Sequence, residues 1–169
     1  MKAVETRLVQ TMFALRRFRP DDLEKVMHIN QVCLPENYST YFFLELYERY
    51  PETFIVAEVA GEIAGYIMCR IETGLPDFGL LGITKRGHVI SIAVLPEYQR
   101  KGIGEALMRE AMIAMRQYKA KDCYLEVRVS NSQAINMYKK LNFETSRTVH
   151  GYYADGEDAA IMTRKLAAL

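Results

Sequence analysis

Gln99-Arg-Lys-Gly-Ile-Gly104 is the stretch on which the reading of this chain turns. It lies between a β-branched run that ends at Pro96 and the most regular helical pattern in the sequence. A helix start presents unpaired backbone N–H groups and a partial positive charge, which together favour an anion. Gly102 and Gly104 have no Cβ, so the main chain can approach phosphate oxygens closely. Arg100 and Lys101 add positive charge at the rim. These residues suit a pyrophosphate held mainly by backbone. They equally suit a glycine-containing turn with solvated basic side chains, and the hexapeptide alone leaves both readings open. No G-x-x-x-x-G-K-[ST] occurs, and no G-x-G-x-x-G opens a βαβ unit.

Around this loop the pattern alternates between strand and helix. Phe13 to Phe18 reads as a first strand, and Pro20 begins a helix whose first turn carries Asp21 and Asp22. The stripe Leu23, Val26, Met27 and Cys33 ends before Pro35, and Tyr41 to Tyr50 forms a second helix closed by Pro51. Thr53 to Val59 and Glu62 to Glu72 form an antiparallel hairpin through Ala60-Gly61. Thr73 to Arg86, with its glycines and Pro76, reads as a long surface loop. Gly87 to Leu95 is the strand that feeds the glycine loop. In the helix from Gly102 to Tyr118, Ile103, Ala106, Leu107, Ala111, Ala114 and Met115 recur at steps of three and four. Cys123 to Val129 is a strand, Ser132 to Leu141 a short helix, and Glu144 to Val149 and Ala159 to Leu166 are closing strands. The order fits an α/β protein with a mixed, largely antiparallel sheet.

The chain has 169 residues, half of them apolar and a quarter charged, enough for one globular domain over 13–169 behind a flexible lead of residues 1–12. A net charge of +1 gives no reason to expect a nucleic acid partner. No apolar run approaches the roughly 20 residues that span a bilayer, so no membrane partner is expected. Cys33, Cys69 and Cys123 are far apart and read as reduced core thiols, which points to the cytoplasm. No pair of Cys or His has zinc-like spacing, so no metal is expected. His28 and His150 read as surface or edge residues.

The glycine loop after Pro96-Glu-Tyr98 resembles the acetyl-CoA loop Q/R-x-x-G-x-G/A of the GNAT acetyltransferase superfamily. Leu125-Glu-Val-Arg-Val-Ser-Asn131, Ala134, Tyr138 and Lys139-Lys-Leu-Asn-Phe143 resemble its second signature. The resemblance spans Phe13 to Leu166. It implies a central sheet of about seven strands with about four helices, whose middle strands splay apart near Val94 and Val129. It also implies acetyl-CoA as cofactor. Backbone of Ile92, Ala93 and Val94 would pair with the pantetheine arm, and Gln99, Arg100, Lys101, Gly102, Ile103 and Gly104 would hold the pyrophosphate. Asn131 would meet the arm's amides, and Tyr138 would lie beside the sulfur.

Leu34-Pro-Glu-Asn-Tyr38 resembles one substrate loop of the RimI/Ard-type protein N-terminal acetyltransferases, and Gly151-Tyr-Tyr153 resembles the other. Ala154-Asp-Gly-Glu-Asp158 is typical of that group, especially of archaeal members with broad specificity. The resemblance implies that Leu34, Pro35, Glu36, Tyr38, Tyr152 and Tyr153 clamp the first residues of a peptide. Each piece also has a structural reading: Pro35 as a helix stop, the tyrosines as packing at a sheet edge. An α-amine, with a pKa of about 8, must lose a proton before it attacks the thioester. Backbone N–H groups then stabilise the developing oxyanion, and an acid, Tyr138, protonates the departing thiolate. Glu36, His88 and Glu126 compete as the base. Relatives use either a carboxylate in the first loop or a strand Tyr with a strand His. Here a Glu stands in the loop, a His at the strand-Tyr position and a Glu at the strand-His position, which is a hybrid. Against these roles, His88 also reads as a structural histidine, and Glu126 and Arg128 as an ion pair with each other.

Acetylation of a lysine side chain, a polyamine or another small amine is an alternative, as is a sensor that binds acyl-CoA without turnover. A lysine acceptor needs a stronger base because its pKa is about 10.4. A polyamine needs an acidic pocket, and no acidic cluster is legible near the cleft. Nothing in the sequence marks a contact for a ribosome or an auxiliary subunit.

Overall fold

The computed structural model of the chain describes residues 12–77 and 82–167. All of the expected lead-in except Met12 lies outside the described residues. The elements are β1 (Ala14–Arg17), α1 (Leu23–Cys33), α2 (Thr40–Arg49), β2 (Phe54–Val59), β3 (Glu62–Gly74), β4 (Thr84–Val94), α3 (Ile103–Gln117), β5 (Asp122–Arg128), α4 (Ser132–Lys140), β6 (Glu144–Val149) and β7 (Ala159–Lys165). This is the order expected from the sequence.

Local chemistry sets several boundaries. Ser39 Oγ accepts from Phe42 N at the start of α2, and Asn131 Oδ1 accepts from Ala134 N at the start of α4, each satisfying a backbone donor that the helix itself leaves unpaired. Ala60 and Gly61 both have positive φ, as the twist of a two-residue hairpin requires.

The strands form one sheet in the order β1-β2-β3-β4-β5-β7-β6. Every adjacent pair is antiparallel except β4 and β5. On one face, Leu107, Met108, Ala111 and Met115 of α3 are buried with Ile55, Ile67, Cys69 and Val89. On the other, Val26 and Ile29 of α1 and Phe43 and Leu46 of α2 are buried with Phe54, Val56, Tyr66 and Met68. Each Val, Leu, Ile, Phe or Met among them contributes about 1.5–3 kcal/mol relative to exposure, so both layers clamp the central strands firmly.

One expectation needs correction. The segment read as a loop from Thr73 to Arg86 is strand at both ends: Thr73 and Gly74 continue β3, Thr84 to Arg86 begin β4, and Glu72, Thr73 and Gly74 pair with Arg86, Lys85 and Thr84. Only 75–83 connects the strands, and 78–81 lie outside the described residues. Arg86 secures this end. It pairs with fully buried Asp122 and with Asp77, each at 2.7 Å, and donates to the Leu75 carbonyl. These long-range bonds override the glycine-rich composition.

β4 and β5 pair over three positions only, Arg86↔Asp122, Gly87↔Cys123 and His88↔Tyr124. Beyond them β3 is the only strand with which β4 pairs, with Ile90 bulged out of register between Met68↔Ser91 and Cys69↔Val89. A bulge adds local twist and bends its strand, and this one falls where the strands part. A Cβ at Gly87 would lie 2.3 Å from Met115 Sδ and 2.8 Å from its Cγ. The absent side chain therefore lets α3 press onto the last paired stretch. Gly87→Val is expected to lower stability by about 1–3 kcal/mol through overpacking. Urea unfolding checks this, and an unchanged midpoint contradicts the close approach.

Candidate active site

The opening between β4 and β5 forms a cavity of about 650 Å3, within the range of small-molecule sites. Leu34 to Glu36 and Tyr38, Val89 to Val94, Leu125 to Arg128, the glycine loop and the start of α4 line it, with Tyr152 and Tyr153.

At the phosphate end, Gly102 caps α3 with φ +84, and Arg100 is also left-handed at φ +61. Two left-handed residues with one residue between them curl the main chain into the kind of concave turn that gathers N–H groups. A Cβ at Gly102 would meet nothing within 4 Å, so handedness rather than space demands glycine there. At Gly104 a Cβ would stand 3.2 Å from Met137 Sδ, so that glycine lets α3 and α4 approach. Gln99, Arg100, Gly102, Ile103 and Gly104 all line the cavity. Lys101 does not. Its ammonium donates to the Glu97 carbonyl at 2.9 Å and lies over the Tyr98 ring. The concave, glycine-bearing helix start fits a pyrophosphate.

Ile92, Ala93 and Val94 line the cavity along the unpaired edge of β4. The Val94 carbonyl already accepts from Gln99 Nε2 at 2.9 Å and from the Cys33 thiol at 3.6 Å. Cys33 is thus a wall residue rather than a core thiol, unlike buried Cys69 and Cys123. Asn131 lines the cavity with Oδ1 committed to its cap, which leaves its amide N–H groups for a ligand. Tyr138 is 5% exposed and lines the same wall. Burial pushes its phenol well up, so Oη keeps its proton.

The other end is built from charges. Arg128 donates to Glu36 at 2.6 Å, Asp155 at 2.8 Å and Glu157 at 3.1 Å, and its guanidinium lies 4.0 Å from the centre of the Tyr153 ring. It therefore ties β5 to both proposed substrate loops. Glu126 and Arg128 share a face of β5, but Glu126 bonds His88 at 2.7 Å and Arg128 bonds other carboxylates, so they do not pair with each other. His88 is buried and does not line the cavity. It stands behind Glu126, with Nδ1 2.9 Å from Glu72. Tyr38 Oη donates to the Ile90 carbonyl at 3.3 Å. Asn30 of α1 holds the loop after it: its Nδ2 donates to the Glu36 carbonyl at 3.1 Å and to Tyr66 Oη at 3.1 Å.

Glu36, Asp155 and Glu157 thus gather on Arg128, Glu72 on Arg70 and Glu126 on His88, an acidic cluster that the sequence does not disclose and that suits an ammonium. Burial opposes ionisation of Glu72, yet hydrogen bonds from Tyr124, His88 and Arg70 outweigh it and hold its carboxyl down to about 2. Sequence reasoning passed over Glu72, Arg70, Tyr124 and Asn30 as site residues, because their contacts cross strands whose register only the fold reveals. His28 and His150 are exposed, as expected, and His150 pairs with Asp158. Among the described residues no group of His, Cys, Asp and Glu is arranged to hold a metal.

A model of the acetyltransferase (GNAT) family matches residues 23–143. An N-alpha-acetyltransferase of Sulfurisphaera tokodaii is 51% identical over 156 residues, covering 91% of this chain and 93% of the relative. Ard1 from Thermoplasma volcanium superposes with a TM-score of 0.79 at 31% identity, over 92% of this chain and 98% of that one. Naa20 of Chaetomium thermophilum, solved with a bisubstrate analogue, gives 0.80 at 34% identity, over 90% and 86%.

Two outcomes follow from this geometry. Hydrogen bonds to a charged group contribute about 1.5–3 kcal/mol each, so Gly102→Asp with Gly104→Asp should weaken acetyl-CoA by at least about 100-fold. Unchanged affinity in a calorimetric titration contradicts the phosphate seat. Glu72 has a depressed folded value, so its stabilisation is present above its ordinary 4.5 and is lost as pH falls through about 2. The stability gap between wild type and Glu72→Gln should therefore shrink across that window, and a gap independent of pH contradicts the hydrogen bonding described.

Proposed function

The chain belongs to the acetyltransferase (GNAT) family, and we propose that it transfers an acetyl group from acetyl-CoA to the α-amine of protein N-termini. The observation that carries this reading is the mouth of the cavity. Leu34, Pro35, Glu36 and Tyr38, with Tyr152 and Tyr153, face it from two loops, tied together through Arg128, above carboxylates that suit a cation. The Sulfurisphaera relative is named for the same activity.

When bound, acetyl-CoA supplies the acetyl group as a thioester. The chain's own residues do the rest. The start of α3 holds phosphate, while Ile92 and Ala93 offer backbone along the arm. Glu36 and Glu126 meet the ammonium: Glu36, fixed by Arg128, orients it, and Glu126, backed by His88, takes its proton. Tyr138 holds a proton at Oη on the cavity wall, ready for a leaving thiolate. Tyr38 and Tyr153, whose phenols burial also pushes up, stay neutral and flank the peptide without adding charge.

Among the described residues no helix is long and apolar enough to cross a membrane. All three cysteines are free thiols, which supports a reducing compartment, the cytoplasm.

Acetyl transfer to short peptides tests the proposal. Label should enter peptides with free N-termini and not the same peptides blocked at the N-terminus with an internal Lys. Label on the blocked peptides, or on spermidine alone, moves the acceptor to a side-chain or small amine, and binding of acetyl-CoA with no transfer makes the chain a sensor.

A further inference from the structure

Glu72 sits on β3, outside the cavity lining, yet it anchors the best-connected polar group in the site. His88 places Nδ1 2.9 Å from Glu72 Oε1 and Nε2 2.7 Å from Glu126 Oε2. Tyr124 Oη donates to the second oxygen of Glu72, and Arg70 Nε donates to the first. The Tyr124 ring stacks on the imidazole with centroids 4.2 Å apart and planes 16° apart, and Arg86 lies over that ring. The His88 ring is therefore fixed in plane, rotation and partners, and of the three groups in the chain only Glu126 lines the cavity.

An ionised carboxylate only accepts hydrogen bonds. An imidazole with a carboxylate oxygen at each nitrogen therefore requires a proton on each N···O line. Two protons serve three groups. Glu72 already accepts from Tyr124 and Arg70, so it stays bare and the Nδ1 proton stays on the ring. The second proton lies between Nε2 and Glu126. We infer that Glu72 is a positioning residue, holding the Nδ1 proton of His88 away from the cavity so that Nε2 and Glu126 accept substrate protons as one unit. The inference rests on the α-amine reading for its kinetics alone, because the hydrogen bonding exists without substrate.

In the step this serves, the incoming ammonium gives one proton to Glu126, and its nitrogen lone pair is freed for attack. The N–H bond breaks, an O–H bond forms, and the Glu126–His88–Glu72 chain goes from one net negative charge to none. The remaining groups around it are Arg70 on β3, Arg86 on β4, Tyr124 and Arg128 on β5, Glu36 and Tyr38 from the loop before α2, and Tyr152 from the loop before β7. Glu72 is the one carboxylate among them that touches the far side of the ring.

Glu72→Gln keeps the shape and an acceptor oxygen but removes the charge. The protonated unit then loses stabilisation and gives up its proton at lower pH. The acid limb of kcat should move to lower pH and the plateau should fall by about 10–100-fold, within the range of lost acid–base assistance, with KM for peptide and acetyl-CoA unchanged. Glu72→Asp, which retains the charge, should restore the wild-type position of the limb. In the substrate-free protein, proton NMR should show a slowly exchanging downfield imidazole N–H from His88 that broadens away in Glu72→Gln. Loss of melting temperature with kcat and its pH limb unchanged, or persistence of the N–H signal, overturns the inference. Should wild type acetylate no free N-terminus while Glu72→Gln still loses the signal, the acceptor reading fails and the positioning role stands.

Discussion

Everything in this molecule that bears on chemistry depends on β4 and β5 staying paired for three residues and then parting. A parallel pair is held by evenly spaced backbone bonds, and here the register covers only Arg86, Gly87 and His88 against Asp122, Cys123 and Tyr124, with Lys121 N donating to the Lys85 carbonyl just before it. Past that point each strand keeps its outer neighbour, β3 or β7, and loses its inner one. The result is a sheet edge inside the sheet. An unpaired edge is costly when buried, and here it lines a cavity whose natural filler is an extended chain with amide groups. The pantetheine arm of acetyl-CoA is such a chain.

The two ends of that opening are made different by what stands over them. At one, α3 begins with a left-handed glycine and brings its N-terminus, the positive end of a helix dipole, to the gap. At the other, Glu36 and Glu126 line the cavity and Asp155 and Glu157 hold Arg128 at its wall, so that negative groups outnumber positive ones. A di-anion at the first end and an ammonium at the second are each placed where the field favours them. In the mechanism proposed above, transfer occurs between them, at the level of Tyr138 and Glu126.

Much of this could be read in the chain. The glycine loop, the apolar stripe of α3 and the Ala60-Gly61 turn are local features, governed by residues within one or two helical turns. The same holds for the alternation on β5, which places Tyr124, Glu126 and Arg128 on one face. What could not be read depends on register. Gly74, Pro76 and Gly82 mark a loop by composition, yet β3 and β4 extend because Arg86 bonds Asp122 and Asp77 across the fold. With that extension hidden, Glu72 falls at the frayed end of a strand instead of beside His88. Glu126 and Arg128, two residues apart with opposite charge, suggest a pair, and only their cross-strand partners separate them. The acidic character of the mouth is likewise assembled from four distant segments.

The central claim is that one opening between β4 and β5 seats donor and acceptor together. Amide hydrogen exchange with and without a bisubstrate analogue, coenzyme A joined through an acetyl link to a peptide α-amine, tests it most directly. The account predicts new protection at Ile92 to Val94 and Gly102 to Gly104, together with the loops at Glu36 to Tyr38 and Tyr152-Tyr153. Protection of the glycine loop with none at either tyrosine-bearing loop would contradict it, because the peptide end would then lie elsewhere.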